Sequence, residues 1–218
     1  MMSPPRVPTI IGVTGRQFHG KDTLSDYLVQ NHGYTKISLA SPLKEISKIM
    51  FGFSDEQLHG DLKETIDERW NVTPRQCLQF FGMLFRDNIG KILPHIEKNF
   101  WAYCLIEKIK SQLKINPEAR FVISDLRFPN EIEALRTLEK SSDTSSEPSS
   151  GQSPAPPSIS CKIVRIFRSD VPLNDSCNHA SEELIDTLAV DYDLVTYTQP
   201  KTELYEKFEE LFKLISSS

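Results

Sequence analysis

Seven residues near the N-terminus, Gly15-Arg16-Gln17-Phe18-His19-Gly20-Lys21, fit the spacing G-x-x-x-x-G-K. A loop of that kind turns successive backbone N–H groups toward phosphate oxygens, and a helix starting at the lysine adds its positive end. Gly15 and Gly20 allow the backbone conformations and close approach this requires. Lys21 supplies a point charge for the β- and γ-phosphates. The spacing is informative only between a strand and a helix. Val7–Thr14 is a β-branched apolar run that predicts a buried strand, and Lys21–Gln30 predicts a helix with Leu24, Tyr27 and Leu28 on one side. In that setting a chance glycine turn is the weaker explanation. Gly15, Arg16, His19, Gly20, Lys21, Asp22 and Thr23 are therefore the candidate nucleotide-binding residues. Asp22 stands where a Ser or Thr that ligates Mg²⁺ is usual, so it is a candidate to hold the ion directly or through water. Thr23, about 100° further round the helix, is better placed for the α-phosphate.

Three further groups carry candidate chemistry. Thr73-Pro74 is a helix start, with Thr as N-cap and Pro in the first turn, and that helix is predicted to run to about Ile89. Arg75, Gln79, Gly82 and Arg86 share one face of it, which suits a phosphate and a base edge lying close to the backbone. The alternative is an exposed polar stripe. Phe121–Ser124 predicts a strand ending in Asp125, the position at which open parallel sheets bind ligands and metal. Arg127 and Arg168, both just past predicted strand ends, are placed to neutralise charge on a transferring phosphoryl group. Lys44 points either to an acceptor or to water. His32, His59 and His95 have no partners at meaningful spacing, and His179 with Ser181–Glu183 reads as a loop and helix cap.

Further strands are predicted at Tyr34–Leu39, Arg120–Ser124, Lys162–Phe167 and Asp193–Tyr197. Helices are predicted from Pro42, with Leu43, Ile46 and Met50 on a face, over Asn99–Leu113 and Asn130–Lys140, and at the C-terminus. The alternation predicts a parallel α/β sheet covered on both faces. Ser141–Ser160, with nine serines and four prolines, reads as a disordered insertion. The 218 residues suit one domain, and a net charge of −5 without a basic block argues against nucleic-acid or membrane partners. Four scattered cysteines and the absence of an apolar leader or an 18-residue apolar run predict reduced thiols in the cytoplasm.

In combination these segments resemble the P-loop deoxynucleoside monophosphate kinases best known from bacteriophages. The resemblance rests on G-x-x-x-x-G-K-D-T (Gly15–Thr23), S-P-L-K (Ser41–Lys44) and T-P-R-x-x-L-Q-x-x-G (Thr73–Gly82) with Arg86. It rests also on S-D-x-R-F-P-N-E (Ser124–Glu131) and the H-x-S-E segment (His179–Glu182). It spans nearly the whole chain outside the insertion and treats Asp22 as normal. The resemblance implies an NMP-kinase-like α/β/α fold as a single domain over 1–218. That domain would comprise a phosphate-loop unit at 7–35, a helical acceptor-binding region at about 40–115 and a lid-like segment at about 169–190. It implies transfer of the ATP γ-phosphate, with Mg²⁺ on Asp22 and Asp125, to a small phosphorylated acceptor, a (deoxy)nucleoside monophosphate. Lys21, Asp125, Arg127 and Arg168 would be catalytic, and Lys44, Arg75, Gln79 and Arg86 would bind the acceptor. A homodimer is compatible with it. Animal phosphomevalonate kinase resembles the same family in its G-K-D loop, P-L-K-E segment and S-D-x-R strand end, although the T-P-R-x-x-L-Q helix favours the nucleotide. A regulatory P-loop NTPase without a small acceptor is the rival from another class, and the guanine-reading N-K-x-D of GTPases is absent.

Overall fold

The computed structural model describes residues 7–96, 99–143, 159–169, 184–197 and 201–217. They form two compact units, one from the described residues up to 38 and from 106 onward, the other from those between 39 and 105.

The first unit is built on a five-stranded sheet. Its strands are β1 (Ile10–Thr14), β2 (Thr35–Ile37), β3 (Phe121–Leu126), β4 (Cys161–Arg168) and β5 (Tyr192–Thr196), in the order β2-β3-β1-β4-β5. Every pairing is parallel, with Ile10 opposite both Phe121 and Cys161. β1 is buried at all five positions, as its β-branched run predicts, and it begins at Ile10 rather than Val7. From β1 the chain crosses leftward through α1 (Lys21–His32) to β2, whereas from β3 it crosses rightward through α6 (Pro129–Asp143) to β4. Right-handed crossovers therefore put those helices on opposite faces, and the reversal opens a crevice at the carboxyl ends of β1 and β3.

Beneath α1 lies a core of Ile11, Val13, Leu24, Leu28, Val122, Val164, Ile166 and Leu194, joined by Phe208, Leu211 and Ile215 of the closing helix α7 (Lys201–Ser217). Glu209 of α7 accepts hydrogen bonds from Tyr27 at 2.9 Å and pairs with His32 at 3.0 Å, while His32 stacks on Phe212. His32 thus has partners that its sequence spacing did not disclose. The helix α6 extends to Asp143, and Ser160 already bonds β1 through Ile10, so both ends of the predicted insertion are structured; residues 144–158 lie outside the described residues. Among the described residues Cys77, Cys104 and Cys161 are free thiols, and burial pushes Cys161 up to about 12; Cys177 lies outside the described residues. No helix among the described residues is long and apolar enough to cross a membrane.

The second unit contains α2 (Ser41–Phe51), α3 (Asp55–His59) and α4 (Pro74–Asn88), with the start of α5 (Phe100–Ile115). Leu43, Phe53, Leu58, Cys77 and Leu78 form its core. On α2 the buried positions are Leu43 and Ser47; Met50, predicted to face inward, is exposed. Thr73 caps α4 in a reciprocal capping box with Gln76, as the Thr-Pro start predicts.

A buried carboxylate secures the loop ahead of α4. Asp67 accepts from the Arg69 guanidinium at 2.6 and 2.9 Å, from the Arg69 backbone N–H at 3.0 Å and from Gln57 at 2.8 Å. The Arg69 guanidinium first, and Gln57 next, hold its carboxyl well below the usual carboxylate range. A group depressed in the fold contributes its full stability above its ordinary value, near 3.9, and loses it as the pH falls further. Asp67→Asn is therefore expected to lower the urea midpoint at pH 7, by an amount that narrows between pH 5 and pH 3. A deficit that did not change with pH would remove the carboxylate from this account.

Candidate active site around the glycine loop

The loop predicted to bind phosphate joins β1 to α1 at the crevice. Thr14 ends β1 with its buried hydroxyl donating to the Leu126 carbonyl at 2.8 Å, which ties the loop's entry to β3. Gly15 follows at φ +148°, so close to β4 that a Cβ there would lie 2.4 Å from the Ile166 carbonyl oxygen. Gly20 closes the loop at φ +92° as the N-cap of α1. Between them Phe18 adopts φ +65° with 71% of its surface exposed, a left-handed conformation that strains an aromatic residue by about 1 kcal/mol or more. Its carbonyl accepts from Arg168 at 3.1 Å, so the last residue of β4 is tied to the loop tip. Lys21 folds back across the loop, donating to the Arg16 carbonyl at 2.6 Å.

Two polar atoms of this loop are buried without a hydrogen-bond partner, His19 Nδ1 and Arg16 Nε. Buried polar groups are nearly always satisfied, so these two atoms leave hydrogen-bonding positions in the loop that a water or a polar ligand can fill. The His19 ring packs edge-on against Phe167 at 5.2 Å. Burial first, then the charges of Lys21, Arg16 and Arg168, hold its imidazole below the ordinary histidine value. Arg16 pairs with Asp186 at 2.5 Å, and Arg165 grips Asp193 through two bonds of 2.6 and 3.0 Å. A pocket of about 330 Å³ lies between these pairs, walled by Phe167, Ile185 and Val195.

The two candidate metal carboxylates are both held. Asp125 lies within β3, which continues to Leu126 instead of ending at Ser124, and accepts from the Ser38 hydroxyl at 2.6 Å. Asp22 pairs with Lys36 at 2.8 Å. The Asp22 side chain stays largely exposed; partial desolvation would raise its carboxyl, but the Lys36 hydrogen bond and charge, Lys21 and the Ser124 hydroxyl outweigh that and hold it below its ordinary value. Among the described residues there is no group of three or more metal-binding side chains. Such a sparse donor set fits Mg²⁺, which takes one or two carboxylates and completes its shell with phosphate oxygens and water. Arg127 follows β3 directly. Its backbone N–H and that of Phe128 donate to Glu131, at 2.7 and 3.0 Å, which explains the R-F-P-N-E run as a cap for α6.

The residues predicted to bind the acceptor belong to the second unit. Arg75 of α4 is paired with Glu64, Gln79 is exposed and Arg86 is half-buried. Gly82 does not offer open backbone to a ligand. A Cβ there would lie 3.2 Å from Leu43 of α2, and its carbonyl accepts from Trp101 at 3.1 Å, so its smallness serves helix packing. Lys44 is within 3.1 Å of His59 Nδ1, a partnership that separation along the chain concealed. His179, Ser181, Glu182 and most of the lid-like segment lie outside the described residues.

Lys36, Ser38 and Asp186 were not anticipated in the sequence. Lys36 and Ser38 fall in and just after a three-residue strand, too short for periodicity to assign a face. The only signal for them is spacing by two, which puts both on one side of an extended chain.

At 39% identity over 133 residues the chain is similar to a protein of Acanthamoeba polyphaga mimivirus provisionally named a deoxynucleotide monophosphate kinase; the match covers 59% of this chain and 69% of that protein. No protein-family model matches the chain. Among solved structures it is similar to the dephospho-CoA kinase of Campylobacter jejuni, with 14% identity, a TM-score of 0.45 and 96% of this chain and 98% of that one covered. It is also similar to a provisionally named kinase of Chloroflexus aurantiacus, with 14% identity, a TM-score of 0.43 and coverage of 98% and 99%. Likeness at that level does not distinguish one acceptor from another.

Proposed function

This chain belongs to the deoxynucleotide monophosphate kinase family, and from that premise we propose that it transfers the γ-phosphate of ATP to a (deoxy)nucleoside monophosphate. The observation that carries the reading is the glycine loop, pinned to β3 at Thr14 and to β4 at Gly15, with α1 opening directly behind it. Loop amides from Gly15 to Thr23, together with Arg16 and His19, bind the nucleotide, and Lys21 exchanges the Arg16 carbonyl for the β- and γ-phosphates. Arg127 and Arg168 neutralise charge as it spreads over the transferring group. Asp125 and Asp22 would hold Mg²⁺, directly or through water, and the ion would supply positive charge that screens the phosphate oxygens. No side-chain nucleophile is needed, because positioning and charge supply most of the acceleration in phosphoryl transfer. Lys44, Arg75, Gln79 and Arg86 receive the acceptor, whose phosphate displaces Glu64 from Arg75.

The test is ADP release measured over a panel of ribo- and deoxynucleoside monophosphates with phosphomevalonate alongside. Stimulation by one or more nucleotides is expected. Stimulation by phosphomevalonate alone changes the acceptor class, and no stimulation above basal ATPase leaves a regulatory NTPase. With the preferred acceptor in hand, Arg75→Met is expected to raise its KM about thirtyfold, the worth of a charged hydrogen bond to phosphate, with kcat within threefold of wild type. An unchanged KM would take Arg75 out of the acceptor site.

A further inference from the structure

A hydroxyl after the loop lysine is neutral, whereas Asp22 brings a full negative charge to the start of the phosphate-binding helix. Until a metal is bound, that charge has to be answered by a cation of the protein, or it competes with the phosphates for Lys21 and repels them. The answer comes from β2. Lys36 Nζ lies 2.8 Å from Asp22 Oδ1 and 2.9 Å from Asp26 Oδ1, bridging two carboxylates one turn apart on α1. Its backbone is fixed by pairing with Val122 of β3, so the ammonium is delivered from a rigid strand. Two residues on, Ser38 donates to Asp125. One short strand end therefore restrains both carboxylates of the site.

We propose that Lys36 is a positioning residue for nucleotide binding: it neutralises Asp22 and draws its carboxylate toward β2, leaving Lys21 to the phosphates. This rests on the reading of the glycine loop as the ATP site. An ordinary helix-to-strand clip accounts for the geometry less well. Asp26 alone would supply a clip, which leaves the second contact, with Asp22 beside Lys21, unexplained. The shared contact with Asp22, next to Lys21, ties Lys36 to the loop's charge balance. An unanswered carboxylate within a few ångströms of a triphosphate weakens its binding by about tenfold or more.

The experiment is calorimetric titration of ATP in EDTA, so that metal affinity does not enter, with thermal midpoints recorded for every protein. Lys36→Met is expected to bind about tenfold more weakly than wild type. Lys36→Met with Asp22→Asn, which restores neutrality, is expected to return to within twofold, and Lys36→Arg to bind as wild type does. Asp26→Asn, which removes only the clip, is expected to leave affinity unchanged and keeps the test decisive should Lys36→Met fold poorly. The proposal is overturned if the double variant stays as weak as Lys36→Met, or if Asp26→Asn loses affinity. It is overturned equally if Lys36→Met binds as tightly as wild type. A wild-type protein that binds no ATP would instead overturn the reading of the loop.

Discussion

Lys21→Ala is expected to lower kcat by about 10³-fold while leaving the fold intact. The lysine is partly exposed at the first position of α1, where alanine is a good helix former, and its side chain donates to the Arg16 carbonyl. Removing it costs the fold no packing, so the thermal midpoint should move by only a few degrees. On the proposed function its ammonium is nevertheless the charge that the loop brings to the transferring phosphoryl group. Deleting one preorganised electrostatic contact of that type typically costs 10²–10³ in kcat. Single-turnover transfer and a thermal melt on the same preparation separate the two effects. Transfer retained to within tenfold of wild type would take the loop out of the mechanism.

Gly15→Ala is expected to act on both fold and function. The glycine occupies a positive φ that an alanine avoids, which costs about 1–3 kcal/mol. In addition its Cβ would meet the Ile166 carbonyl oxygen, a backbone atom, at 2.4 Å. That carbonyl belongs to β4, which is paired to β1 right up to Thr14 opposite Arg165, so it cannot retreat without opening the ladder. The combined loss is about 3 kcal/mol or more, a fall in thermal midpoint of about 6–12 °C for a chain of this size. ATP affinity should fall with it, because the loop must swing away from β4. Gly20→Ala provides the contrast. It shares the positive φ, but its nearest obstacle is the tip of the Ile166 side chain at 3.5 Å, so strain acts there without a clash. Equal losses for the two alanines would show that conformational strain alone is at work.

What could be read from the sequence was whatever is local. β1 and the loop after it are a run of β-branched residues followed by two glycines and a lysine, and Thr73-Pro74 states its own helix start. A capping box at Ser54 and Gln57 marks the start of α3 in the same way. What escaped were facts about separated residues. Lys36 reaches Asp22, Ser38 reaches Asp125 and His59 meets Lys44 through the fold, and no periodicity encodes such meetings. Gly82 escaped for another reason: a small residue on a polar helix face looks the same whether ligand or leucine fills the space above it. The exposure of Met50 follows likewise, since Ser47, not Met50, turns inward with Leu43 on α2.

β1 is the first strand made and sits in the middle of the sheet, and this sets the timetable of biosynthesis. The contact of Thr14 with Leu126 closes 112 residues, and that of Thr9 with Ser160 closes 151. At about 5–20 residues per second, the ribosome takes on the order of ten seconds or more to supply the second neighbour. During that interval β1, buried at all five positions in the finished sheet, is a nascent segment with open edges, while residues 39–105 carry contacts closer in sequence and are free to fold. The glycine loop, whose shape depends on both neighbours, is consequently complete only once β4 has been made, and a chain released before β4 lacks the Ile166 backbone against which Gly15 packs.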